Sequence, residues 1–124
     1  HVLRIAITKS QLPFAEAFFA GVLCNVLVCT AVWLARAGRS VTDKILATLF
    51  PITAFVTIGL EHSIANWFFL PYGLALDRQG AIPLLGIASN LGAVTAGNIV
   101  GGTLLVAGVY WLAYLRGARS DNPR

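Results

Sequence analysis

Residues 45–72, ILATLFPITAFVTIGLEHSIANWFFLPY, decide how this chain is read. The run is longer than the roughly 20 apolar residues that cross about 30 Å of hydrocarbon, yet its middle carries Glu61, His62, Ser63 and Asn66. An acidic residue at membrane depth costs roughly 2.5–3.5 kcal/mol on insertion scales, so the cluster has a reason to be there. Pro51 removes one backbone donor, and Phe55-Val56-Thr57-Ile58-Gly59 is β-branched and ends in glycine just before the polar residues. The pattern predicts a half-helix from about Asp43 to Ala54, a short extended piece with the break near 55–60, and a second half-helix from about Glu61 to Phe69. Non-helical backbone at membrane depth is tolerated only where protein buries it or a wet cavity meets it. A discontinuous helix of this kind points to a transport site.

Two further apolar stretches flank this one, at about 12–37 and 89–115, and the predicted middle span covers about 43–70. The first opens at Leu12 or Pro13, where proline suits the first helical turn, and stops at Gly38. Glu16 falls in its first turn and complements the positive end of the helix dipole. The third carries Ala93, Gly97 and Gly101 at spacings of four, with Gly102 and Gly108 beside them and Asn98 inside the stripe. Such a face lets another helix approach closely. Tyr110, Trp111, Tyr114 and the run Trp67 to Tyr72 suit interfacial belts. Residues His1 to Gln11 lack the apolar core and cleavage site of a signal peptide and read as a link entering the membrane. The expected fold class is therefore all-α, a polytopic membrane protein of three transmembrane helices with the middle one broken.

Composition agrees. Of 124 residues, 57% are hydrophobic and 11% charged, with mean hydropathy +0.77, against roughly 25% charged in ordinary soluble domains. A water-soluble globular domain is excluded. The chain has no Met and opens at His1, which leads us to expect a longer parent protein. The net charge of +4 is distributed between the spans rather than on one face, so no nucleic-acid partner is expected. Arg36, Arg39 and Lys44 fall in the first link and Arg116, Arg119 and Arg124 in the tail, while the second link has Arg78 offset by Asp77. The positive-inside rule then places the first link and the C-terminus in the cytoplasm and the second link outside. Arg4 and Lys9 face outward on this scheme, against the rule. Cys24 and Cys29, about 140° apart around a helix, cannot bridge each other and read as small buried residues.

On a helix, His62 and Asn66 share a face with Ser63 alongside, giving a wall with an imidazole, a hydroxyl and an amide. An intramembrane ionisable residue reads as a functional site. Glu61 points about 100° away and is read as support for the broken helix, capping free N–H groups or bonding to a neighbouring element; Gly59 and Ser63 are grouped with it. Enzyme templates fit poorly: Glu61-His62 is not HExxH, the two histidines make no zinc site with cysteines on another span, and no GxSxG elbow is present. Adjacent helical positions diverge by about 100°, which separates Ser63 from His62. No catalytic residue, metal or cofactor is expected.

Three strings, LPFAEAFFAGVLCNVLVCTAVWLA at 12–35, FPITAFVTIGLEHSIANWFFLPYGL at 50–74 and NLGAVTAGNIVGG at 90–102, resemble the formate/nitrite transporter family. The specific elements are GxLCNxLVCxAVW at Gly21 to Trp33, GLEHSIAN at Gly59 to Asn66 and GNIVGG at Gly97 to Gly102. The resemblance implies an aquaporin-like protomer of six helices in two inverted halves, assembled as a homopentamer with one pore per protomer. Residues 1–124 would be its C-terminal half, with the fourth, broken fifth and sixth helices, the N-terminal half being absent. It further implies that His62 is the central pore histidine, Asn66 its neighbour, Phe55 the aromatic constriction, Lys9 the anion-attracting lysine of the outer vestibule and Asn98 a pore contact. The chain departs from the family in having Trp67 for a usual Met, Ala93 for a frequent Pro and a short link from Leu70 to Ser89.

The expected function is transport of a small monovalent anion, formate first, across the bacterial inner (cytoplasmic) membrane, with formate or nitrite, protons and the lipid bilayer as partners. A bare carboxylate loses many kcal/mol of hydration in an apolar constriction. At low dielectric the favoured proton position shifts from an imidazolium towards the anion, so a proton from His62, or one relayed past it, would let the weak acid cross. Nitrite is the alternative substrate. A non-transporting scaffold, packed through Gly97 and Gly101 with Asn66 and Asn98 bridging helices, is the more distant alternative.

Overall fold

A computed structural model describes residues 1–116. It is helical throughout: α1 spans Val2–Ser10, α2 Phe14–Ala37, α3 Val41–Ile58, α4 Ser63–Leu76 and α5 Leu84–Leu115. The last helix is α-helical over Leu84–Ile99 and shifts to the wider i→i+5 hydrogen-bond pattern over Val100–Gly108 and Trp111–Leu115. Helices α2, α3 and α5 are each long and apolar enough to cross a membrane. Of the tail basic residues, Arg119 and Arg124 lie outside the described residues.

Helix α2 sits at the centre, against α3 on one side and α5 on the other, while α1 lies on α4. In hydrocarbon, apolar surface alone does not hold helices together, because lipid tails are as apolar as leucine; close packing and interhelical hydrogen bonds do. The small-residue stripe of α5 supplies the first. Ala93 is fully buried, and a Cβ at Gly97 or Gly101 would overlap the carbonyl oxygens of Phe18 and Val22 on α2. The expectation that this face admits a close helix is met, and α2 is that helix.

The links are short and built from side chains. Pro13 is the N-cap of α2 and Gly38 its C-cap. Ser40 and Asp43 form a reciprocal capping box that starts α3, with the Asp43 carboxylate also accepting from the Arg39 N–H at 3.1 Å. After α4, Asp77 accepts from the backbone N–H groups of Gln79 and Ile82 and folds the second link back towards α5. Cys24 and Cys29 are both free, as expected.

The structure corrects several expected boundaries. Residues His1 to Gln11 are not a plain link. Leu3, Ala6 and Ile7 recur at helical spacing and pack on Leu70, Leu74 and Ile82, which makes Val2–Ser10 a helix. The extended piece predicted over 55–58 is helical. Helix α3 runs through Pro51 and the β-branched residues and stops at Gly59, and α4 runs through Pro71 to Leu76 rather than ending at Phe69. The third span begins at Leu84, ahead of Ser89, because Pro83 supplies its N-cap.

Candidate functional site

The break between α3 and α4 is the core of the site. Gly59 adopts the left-handed conformation, φ 79° and ψ 31°, and its N–H and that of Leu60 close onto the carbonyls of Val56 and Phe55 at 3.2 and 3.0 Å. This is a glycine C-cap; any side chain at that φ is strained. The backbone then runs non-helically to His62, the N-cap of α4 at φ −112° and ψ 123°. His62 is therefore not on a helical face shared with Asn66, as the spacing had suggested. Its half-buried ring instead lies 6.1 Å from that of Phe55, the two planes at 30°. The helix end and the helix start thus present an aromatic ring and an imidazole to each other.

The His62 side chain makes no capping bond to α4. Asn98 of α5 serves instead. Its Oδ1 accepts from the Ser63 N–H at 3.0 Å, and its Nδ2 donates to the carbonyls of Gly21 at 2.9 Å and Glu61 at 3.2 Å. One buried amide therefore ties α2, the break and the first turn of α4 together. Asn25 of α2 donates to the Asn98 carbonyl from below. The hydroxyl of Ser63 lies half-buried at the start of α4.

Glu61 is 4% exposed and does not cap α4; of the two supporting roles expected for it, bonding to neighbouring elements is the one observed. Lys9 Nζ of α1 lies 2.6 Å from Glu61 Oε1, and Asn66 Nδ2 donates to Glu61 Oε2 at 2.5 Å. Both carboxylate oxygens have a donor, which is what a buried charge requires. Asn66 Nδ2 also donates to Asn90 Oδ1 at 2.8 Å, and Asn90 Nδ2 donates to the Lys9 carbonyl at 3.0 Å. The four residues close a ring across α1, the break, α4 and α5.

On the α1 side, Lys9 and Glu61 form part of the wall of a cavity of about 340 Å³, with Arg4, Thr8, Leu12 and Gly59 among the other lining residues. Because Glu61 offsets Lys9, Arg4 leaves that wall with one uncompensated positive side chain. Among the described residues no cluster of His, Cys, Asp and Glu could hold a metal ion.

The structure brings together Lys9, Glu61 and Asn66 in one network, Asn98 and Ser63 in a second, and Phe55 and His62 in a third arrangement, all around Gly59. Asn90 and Asn25 went unremarked in the sequence. Asn25 lies four positions after Gly21, about 40° around the helix, and Asn90 eight before Asn98, about 80° around it. Two amides in one apolar span, Asn90 and Asn98, are a signal for the first, whereas α2 carries no second amide to mark Asn25.

A discontinuous helix whose broken ends carry buried polar and charged side chains, in a bundle with three membrane-length helices, defines a polytopic membrane protein with a broken span. The family model described as formate/nitrite transporter matches residues 1–112. The chain belongs to the formate/nitrite transporter family and is an integral membrane protein. It is 50% identical over 110 residues to a probable formate transporter of Methanothermobacter thermautotrophicus, covering 89% of this chain and 39% of that protein. It is 40% identical to the formate channel FocA of Escherichia coli, covering 94% of this chain and 47% of that one. A solved structure described as a pentameric formate channel with formate bound superposes with a TM-score of 0.81 at 36% identity, over 93% of this chain and 52% of the other. The chain thus spans about half the length of these relatives or less.

Proposed function

We propose that this chain is the C-terminal half of a transporter that moves small monovalent anions, formate first, through a pore within each protomer of a homopentamer. The observation that carries the reading is the break itself: His62 stands at the start of α4 beside the Phe55 ring, next to a carboxylate already paired with Lys9. Support for formate comes from relatives described as formate channels and formate transporters, one of them pentameric with formate bound. The transport site lies in a bacterial inner membrane, with the first link and C-terminus cytoplasmic and α1 on the outer side.

The physics of the route follows from charge. With Lys9 offset by Glu61, Arg4 leaves the cavity wall on the α1 side net positive and favours an anion there. Beyond it, a bare carboxylate entering the Phe55–His62 constriction would lose its hydration, a cost of many kcal/mol, whereas the neutral acid would not. His62 supplies the proton at that point, or water relays one past it, while Asn98 holds the surrounding backbone and Asn66 holds the Glu61 carboxylate. Nitrite, also a small weak-acid anion, fits the same scheme and is the second reading; the family's own description includes it.

The test is uptake of formate and of nitrite by liposomes holding the full-length protein, with and without a proton gradient, beside a His62→Phe variant. Proton-stimulated uptake that the variant loses is the expected result. Unchanged proton coupling in His62→Phe would overturn the histidine step, and faster nitrite than formate uptake would reverse the substrate order.

A further inference from the structure

The ring through Glu61 has a direction, and Asn90 sets it. Asn90 is 1% exposed and meets two partners. One is the Lys9 carbonyl, a group that accepts hydrogen bonds and never donates them. The amide of Asn90 must therefore turn its NH₂ to Lys9 and its oxygen to Asn66. That in turn obliges Asn66 to present its NH₂ to both Asn90 and Glu61. Its own Oδ1 is left as the one buried side-chain polar atom without a partner among the described residues. The Asn66 amide is thus held in this orientation although its own oxygen goes unpaired.

The consequence reaches the cavity. With Asn66 fixed as a donor, Glu61 receives an N–H on Oε2 and the Lys9 ammonium on Oε1, so both of its oxygens are held. Asn90 also anchors the backbone of Lys9 itself, at the C-terminal end of α1, through a contact that spans 81 positions of sequence. Both members of the ion pair on the cavity wall are thus held from behind by one side chain that does not line the cavity.

We infer that Asn90 is a positioning residue for anion entry: acting through Asn66 and the Lys9 carbonyl, it keeps the Lys9–Glu61 pair aligned on the cavity wall. The inference rests on the transport reading above. Its expected mark is on the concentration at which uptake half-saturates, since the pair stands at the entrance, rather than on the maximal rate.

Two substitutions in the full-length protein test it. Asn90→Leu removes donor and acceptor while keeping the branching at Cγ, and is expected to raise half-saturation for formate about tenfold while the assembled protein transports at nearly the wild-type maximal rate. Asn90→Asp offers, when protonated, an O–H for the Lys9 carbonyl and an oxygen for Asn66, which is the asparagine pattern. When ionised it repels Glu61 and cannot donate. Its half-saturation relative to wild type is therefore expected to approach one at pH 5 and to rise severalfold at pH 8, with Lys9, Glu61 and the nearby thiol of Cys24 as the titratable groups around it. Wild-type half-saturation in Asn90→Leu, or a fall in maximal rate that only tracks lost assembly, would overturn the inference alone. Absence of uptake by the wild type would overturn the transport reading and this inference with it.

Discussion

Glu61 is held by donors from two helices, Lys9 of α1 and Asn66 of α4. Replacing Lys9 by Met leaves a buried carboxylate with one amide donor, a change that costs about 3 kcal/mol on the scale of broken buried pairs. Lys9→Met in the full-length protein is therefore expected to unfold at a clearly lower temperature than wild type. The double variant Lys9→Met/Glu61→Gln should recover part of the loss, because a neutral amide no longer needs a counter-charge. Thermal unfolding in detergent checks this, and strictly additive effects would show that the two residues do not couple. At this scale the sequence marked Glu61, His62, Ser63 and Asn66 as out of place in an apolar run. It did not show their partners. Lys9, Asn90 and Asn98 come from positions 52, 24 and 35 away from the residues they meet, and no local period encodes such a pair.

Helix α3 ends at Gly59 rather than at its β-branched stretch, and the reason is energetic. The penalty of Val, Ile or Thr in a helix is below about 0.7 kcal/mol per residue, whereas an unpaired backbone group in hydrocarbon costs several. The helix therefore continues until a residue can leave it with its hydrogen bonds closed, and glycine in the left-handed region does so. Gly59→Ala is expected to cost about 1–2 kcal/mol from backbone strain alone, with nothing near its Cβ to add a clash. Gly97→Ala belongs to the opposite class. Its Cβ meets the Phe18 carbonyl of α2, so α2 and α5 must part, which also disturbs the bonds from Asn98 to Gly21 and to Glu61. We expect a larger loss of assembled protein for Gly97→Ala than for Gly59→Ala, measured as the monodisperse fraction after extraction. Of the elements, the long apolar helices were plain in the sequence; α1 was not, because nine residues form no stable helix by themselves and depend on packing against α4.

Over the whole molecule, polar groups are gathered on the inside of the α1, α2, α4 and α5 cluster. Helix α3 buries none of its residues and presents Phe50, Val56 and Ile58 outward. Such a surface suits hydrocarbon or a further protein face, not water. The charge asymmetry of the links carries a prediction at this scale. In a background without native cysteines, a cysteine at Arg39 is expected to react with an impermeant thiol reagent only from the cytoplasmic side, and one at Arg78 only from outside. Labelling of both from one side would refute the topology. Legible in the linear string are the membrane spans, a break in the middle helix beside an acid and a histidine, and a face of the last helix made for close approach. Hydropathy, proline, glycine and residue size act locally, so a linear string displays them. Helix packing sets where the break falls, makes Asn98 rather than a neighbour the cap of α4, and pairs Glu61 with Lys9 from α1. Those outcomes depend on hydrogen-bond partners up to 81 residues apart, which exist only once the helices have packed.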